Sequence, residues 1–158
     1  TYTLKHFPGY GNNTDTHQGT SLDNRSYDDI LNNDLPPFKV GIDEGALSIL
    51  VSHNIVSSID SDLPSSLSYK VHNLLRDNLN FTGIVITDDL DMGAIGDVKS
   101  STVKAVLSGN DLIITTDYES SINAIKEAIN NGEISDKLID KTATRVIAFK
   151  YYKGMIKG

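Results

Sequence analysis

Residues 83–95 read GIVITDDLDMGAI. Ile84, Val85 and Ile86 are β-branched and unbroken by polar residues, so Gly83–Thr87 is expected to be a buried strand. A near-continuous apolar run of this kind suits a parallel sheet covered on both faces. Asp88 follows directly and would emerge at the top of a rigid element. A carboxylate there can act as a nucleophile, a base or a metal ligand. The same residues also read as a helix start, with Asp88 or Asp89 as its cap, and one of the pair is expected to cap.

Three further runs resemble this strand. Tyr2–Leu4 reads as a strand end, Ala46–Ser52 (ALSILVS) is rich in β-formers, and Leu112–Thr115 (LIIT) repeats the apolar pattern. Helical periodicity lies between and after them. Pro64 with Ser65 or Ser66 can start a helix that presents Val71, Leu74, Leu75 and Leu79. From Ser120, the positions Ile122, Ile125 and Ile129 form one stripe, with Gly132 as a stop. A last helix from about Ser135 carries Leu138, Ile139, Ala143, Val146, Ile147 and Phe149 on one broad face. Repeated βα units imply parallel strands joined by right-handed crossovers. Four such strands make a small open α/β sheet or part of a barrel. A complete eight-stranded barrel takes roughly 200–250 residues, and this chain has 158.

Composition narrows the partners. The net charge of −7 argues against a nucleic-acid backbone. Without cysteine there is no disulfide, thiolate nucleophile or cysteine-bound zinc. No apolar run reaches the roughly 18 residues that suggest a membrane-spanning helix. Thr1–Phe7 has neither the basic start nor the apolar stretch of a signal peptide, so any such leader is expected upstream of Thr1. The compartment stays open.

In βα proteins the chemistry collects at the carboxyl ends of strands. Here those ends run into Lys5-His6, Ser52-His53-Asn54, Asp88-Asp89 and Thr115-Thr116-Asp117. After the first comes a turn-rich segment, KHFPGYGNNTDTHQG, residues 5–19. In it Asp15 stands two residues before His17. A carboxylate so placed can fix the imidazole's tautomer and leave the other ring nitrogen free to move a proton. A solvent-exposed turn with a bystander histidine is the alternative. Lys5 is a good donor to ligand hydroxyls. His53, after an apolar strand, is expected to be a satisfied core histidine. A metal set of His6, Asp15, His17 and His53 is conceivable, but HExxH-type spacing is absent, and no metal or cofactor is expected.

The stretch KHFPGYGNNTDTH resembles a motif of family 3 glycoside hydrolases, in the β-N-acetylglucosaminidase branch. The resemblance continues through LPPFKVGIDEGALSILVSHNIVSSID, DLPSSLSYKVHNLLRDNLNFTGIVITDDLDMGAI and GNDLIITT. It implies a partial (β/α)8 TIM-type barrel, with residues 1–158 as a single domain holding strands five to eight. Within it, residues 1–5 would be a strand, 6–45 the catalytic loop and short helices, and 46–158 the βα units with a C-terminal helix. It further implies retaining hydrolysis of terminal β-N-acetylglucosaminyl bonds in cell-wall-type saccharides. Asp88 would be the nucleophile, His17 with Asp15 the acid/base dyad, and Lys5 and His6 the binders of sugar hydroxyls. The departures are Tyr10, where the family usually has histidine, and Asn12, where aspartate is common. The partners expected are a small saccharide and either the missing half-barrel or a second copy meeting the open sheet edges. Two alternatives stay open: an inactive fragment or sugar-binding module, and a phosphate in place of water as acceptor.

Overall fold

The structure, a computed structural model, describes residues 2–11, 21–92 and 95–157. The strands are β1 (Thr3–Phe7), β2 (Leu22–Asp23), β3 (Ser48–Val51), β4 (Ile55–Val56), β5 (Ile84–Asp89) and β6 (Leu112–Ile114). The helices are α1 (Tyr27–Asp29), α2 (Leu35–Asp43), α3 (Tyr69–Asn73), α4 (Val98–Ser108), α5 (Tyr118–Asn130) and α6 (Asp136–Tyr152). Wider π-type turns, Ile30–Asp34 and Leu74–Asn78, lead into α2 and extend α3. The four expected strands form one parallel sheet in the order β1-β3-β5-β6. The two-residue strands β2 and β4 pair in parallel beside it. No helix among the described residues is long and apolar enough to cross a membrane.

Side chains alternate across a strand, so each strand has two faces. On one face Ile49, Val51 and Val85 are fully buried against Phe7, Val71, Leu75 and Phe81. Val71, Leu74, Leu75 and Leu79 all enter this core, as their helical spacing predicts. The helix starts later than expected, however. Ser65–Leu67 forms a 3-10 turn, and the cap is Ser68, whose hydroxyl accepts from the Val71 amide.

The opposite face departs from the expectation of two covered faces. Leu50 and Ile86 are half-buried and join none of the apolar clusters. In register beyond them, Leu112 is 39% exposed and Ile114 41%. At the start of that face Ile84 is 2% exposed, so the face opens only toward the carboxyl ends of the strands, and β1 and β6 are the sheet's edges among the described residues.

Two helical stripes are also less buried than their periodicity suggests. Ile122 is exposed, although Ile125 and Ile129 pack against Val106, Ala128 and Ile134. In α6 no residue is fully buried; Leu138 and Ile139 touch that cluster, while Ala143 and Ile147 face outward.

Gly83 sets the entry to β5. A Cβ there would lie 2.5 Å from the Leu47 carbonyl oxygen and 2.6 Å from the Phe81 ring. The Ile84 amide donates to that same carbonyl at 2.9 Å, so it cannot move away freely. Gly83→Ala is expected to lower stability by about 1–3 kcal/mol through overpacking. Urea unfolding checks this: an unchanged midpoint would show that the strand entry has slack.

Candidate active site

Because all four sheet strands are parallel, their carboxyl ends lie on one side of the sheet. At the end of β1, Phe7 is fully buried and packs edge-to-face on Phe38, with ring centroids 5.1 Å apart. This anchor leaves Lys5 exposed and His6 partly exposed beside it. The Lys5–His6 and Phe7–Pro8 peptide bonds are cis. The polar end of β3 holds this segment in place. The Ser52 amide donates to the Phe7 carbonyl at 2.9 Å, and the Ser52 hydroxyl shares its one proton between that carbonyl and Asn54 Oδ1. Asn54 in turn donates to the Gly9 carbonyl at 3.1 Å.

Asp88 and Asp89 are the last residues of β5. Neither caps the next helix, which corrects the expectation for this pair. Strand geometry persists through Asp89, and α4 starts eight residues later on Asp97, whose carboxylate accepts from the Ser100 amide at 2.8 Å. Asp88 Oδ1 accepts from the Asp89 amide at 3.0 Å. Its other oxygen, Oδ2, faces His6 Nε2 at 4.0 Å. The Asp88 side chain is 18% exposed and that of His6 35%. Tyr10 meets the His6 ring edge-on at 5.4 Å. The structure therefore brings His6 and Asp88 together across 82 positions of sequence, with Lys5 next to His6 on β1. Asp15 and His17 fall outside the described residues.

A cavity of about 430 Å³ adjoins this group, walled by Lys5, His6, Tyr10, Asp34 and Phe38 among others. Its volume is in the range of small-ligand pockets. Asp88 is not part of its wall, so the cavity flanks the group on the β1 side and does not sit over the carboxylate.

The remaining polar strand ends are structural. His53 is fully buried. Its Nε2 donates to the Asp89 carbonyl at 2.9 Å, which leaves Nδ1 to accept from the Ser66 hydroxyl at 2.7 Å. That fixes the neutral tautomer and takes His53 out of any metal set. Thr116 donates to Asp91, and Asp117 caps α5. No cluster of three or more metal-ligating side chains occurs among the described residues.

Burial holds both His53 and His72 below the ordinary histidine value of 6.5. For His53, the Asp89 carbonyl and the charges of Asp88 and Asp89 offset burial only in part. Below about pH 6.5 the unfolded chain takes up protons that the fold refuses, so stability falls as pH drops. Each ring is expected to cost up to about 1 kcal/mol between pH 7.5 and 5.5. Urea midpoints at the two pH values test this. A midpoint that holds steady or rises at pH 5.5 would mean that the rings protonate within the fold.

One arrangement was not foreseen from sequence. Arg25 bonds Asp23 and Asp34 at the base of the loop that follows β1. In DNRSYDD it reads as one more polar residue in a turn, and only the buried position of Asp23 sets it apart.

Residues 1–149 match the glycosyl hydrolase family 3 N terminal domain. The chain belongs to glycosyl hydrolase family 3. A beta-hexosaminidase of Actinobacillus pleuropneumoniae serotype 5b is 39% identical over 117 residues, covering 71% of this chain and 34% of that protein. A beta-hexosaminidase of Haemophilus influenzae is 31% identical over 153 residues, covering 94% and 44%. Among solved structures, a family 3 beta-N-acetylglucosaminidase from Paenibacillus sp. str. FPU-7 superposes with a TM-score of 0.93 at 31% identity, covering 99% of this chain and 32% of that one. This family 3 chain thus spans about a third to under a half of the length of these relatives.

Proposed function

We propose that this chain is the second half, strands five to eight, of a (β/α)8 barrel in a longer enzyme that hydrolyses terminal β-N-acetylglucosaminides with retention. The beta-hexosaminidase relatives support the substrate class. The open edges β1 and β6, and the half-buried face of Leu50 and Ile86, fit a sheet that continues elsewhere.

The observation that carries the reading is the Asp88 carboxylate. It stands at the end of a central strand, with one oxygen accepting from the Asp89 amide and the other turned toward His6. In the first step Asp88 attacks the anomeric carbon. The glycosidic C–O bond breaks, and His17 gives its proton to the leaving oxygen. In the second step His17 takes a proton from water, the water attacks the same carbon, and Asp88 is released. Retaining enzymes usually use two carboxyl groups about 5 Å apart. A histidine with an unperturbed pKa of about 6.5 can serve as the acid/base near neutral pH, with Asp15 stabilising its charged form. Lys5 and His6 hold sugar hydroxyls.

Mass spectrometry after trapping the longer enzyme with a fluorinated N-acetylglucosaminyl donor tests the assignment. The label is expected on the peptide that contains Asp88; a label elsewhere would remove Asp88 from the nucleophile role. The 158-residue chain alone is expected to show no measurable turnover, since the first half of the barrel supplies the rest of the sugar site. A hydrolysis assay checks this, and calorimetry with N-acetylglucosamine shows whether the chain retains binding without turnover.

A further inference from the structure

The chain between β1 and β2 meets the described fold at two roots. The first is Gly9–Gly11 and the second Ser21–Asp23, with residues 12–20 between them. The second root is tied to the fold by its backbone. The Ile55 amide donates to the Ser21 carbonyl at 2.8 Å, and the Ser57 amide to the Asp23 carbonyl at 2.9 Å.

Arg25 spans both roots. Its Nε donates to both Asp23 carboxylate oxygens, at 3.0 and 3.1 Å, and its Nη2 to Asp23 Oδ2 at 2.7 Å. Its Nη1 reaches Asp34 Oδ2 at 2.7 Å, just ahead of α2. Asp23 is 1% exposed, so its end of these charge-assisted bonds is shielded, while the Arg25 side chain stays 32% exposed. The first root lies directly on this pair. A Cβ on Gly11 would fall 2.6 Å from the Arg25 guanidinium carbon, and one on Gly9 would fall 2.4 Å from Asp34 Oδ1. Both glycines have positive φ, at 54° and 132°. Tyr10, between them, carries the ring that meets His6. The two carboxylates hold the guanidinium above its ordinary pKa, the Asp23 bonds first, so Arg25 stays charged.

We infer that Arg25, bridging Asp23 and Asp34 beneath Gly9 and Gly11, is a positioning residue: it fixes the two roots from which the segment with Asp15 and His17 departs. This inference rests on the acid/base role proposed for His17. Arg25 touches neither sugar nor reacting atoms, and it acts through the loop roots. A planar fork is needed for the two-sided grip, so lysine can replace it only in part.

The test uses the longer enzyme and two N-acetylglucosaminides. One has a nitrophenol leaving group that departs without protonation; the other has a sugar leaving group that needs the acid. The readout is the ratio of kcat/KM on the two substrates. His17→Ala is expected to widen it. Arg25→Ala is expected to widen it by about 10- to 100-fold, since small misplacement of a catalytic group has effects of that order. Arg25→Lys falls between. In a His17→Ala background, Arg25→Ala should widen the ratio no further, as two residues on one path are non-additive. Asp34→Asn keeps the Asp23 pairing and carries the same test if Arg25→Ala does not fold. Equal loss on both substrates, or an effect that adds to that of His17→Ala, overturns the clamp. A ratio left unmoved by His17→Ala itself overturns the acid/base reading, and the clamp's role with it. A ratio widened by His17→Ala but not by Arg25→Ala or Asp34→Asn overturns the clamp alone.

Discussion

Asp88→Ala in the longer enzyme is expected to abolish nearly all hydrolysis, by a factor on the order of 10⁴ or more, the scale reached when a covalent nucleophile is removed. The reasoning is positional. The Asp88 backbone belongs to β5, which pairs with β3 on one side and β6 on the other. Its carboxylate is oriented by the Asp89 amide and faces His6 at 4.0 Å. Alanine keeps the strand and deletes only the attacking oxygen. The neighbouring residue supplies the control. Asp89 spends its side chain on the Asp91 amide in a turn, and its carbonyl on His53. Asp89→Ala preserves that carbonyl and should reduce kcat by less than about tenfold, because no reacting group is lost. Steady-state kinetics on a nitrophenyl glycoside compare the two. Near-equal losses would reassign the pair, and robust turnover by Asp88→Ala would exclude it as nucleophile.

The strands were readable because short apolar runs such as GIVIT and LIIT suit a parallel sheet; in GIVIT the run is buried, whereas Leu112 and Ile114 of LIIT stay exposed on the edge strand β6. The same logic placed Lys5, His6 and Asp88 at strand ends. What the pattern could not carry is where strand gives way to helix. DDLDMGAI has the acidic start of a helix, yet pairing with β6 draws the chain on through Asp89, in register with Ile114. Asp97 then caps α4, whose buried positions include Ser101, Thr102 and Ser108 beside Ala105 and Val106, so its core-facing side carries no clear apolar stripe. The two-residue strands β2 and β4 are too short to show a period of two. Arg25 was hidden for a related reason. Its importance comes from a long-range bond to Asp34 and from glycines fourteen or more residues before it, and no local pattern encodes either. The stripes on α5 and α6 mislead in the other direction. They report apolar faces correctly, but a face is buried only where another element meets it. Ile122 and Ile147 meet none among the described residues strongly enough to be covered.

At the other end of the sheet, Asp111→Ala is expected to be the most destabilising single change, by about 3–5 kcal/mol, as for breaking a buried charge cluster from one side. The Asp111 side chain has no exposure and bonds three groups. Oδ2 accepts from Arg76 Nη2 at 2.7 Å and from the Val85 amide at 3.0 Å, while Oδ1 accepts from Arg145 Nη1 at 2.9 Å. Arg76 cannot retreat to water. Its Nη1 donates to the carbonyls of Phe81 and Gly83, its guanidinium lies over the Phe81 ring, and burial already pushes its pKa down. Removing the carboxylate leaves two guanidiniums facing each other and a buried amide without its acceptor, at the strand that delivers Asp88. Against a total stability of roughly 5–15 kcal/mol, that change approaches the limit of folding. Arg145→Ala is the measured contrast. It leaves the Arg76–Asp111 pair and the Val85 bond intact, and its side chain is 21% exposed, so a loss of only about 1 kcal/mol is expected. Urea denaturation of the three proteins ranks them. If Asp111→Ala unfolds no earlier than Arg145→Ala, the carboxylate is not what joins α6 and the turn after α3 to the foot of β5.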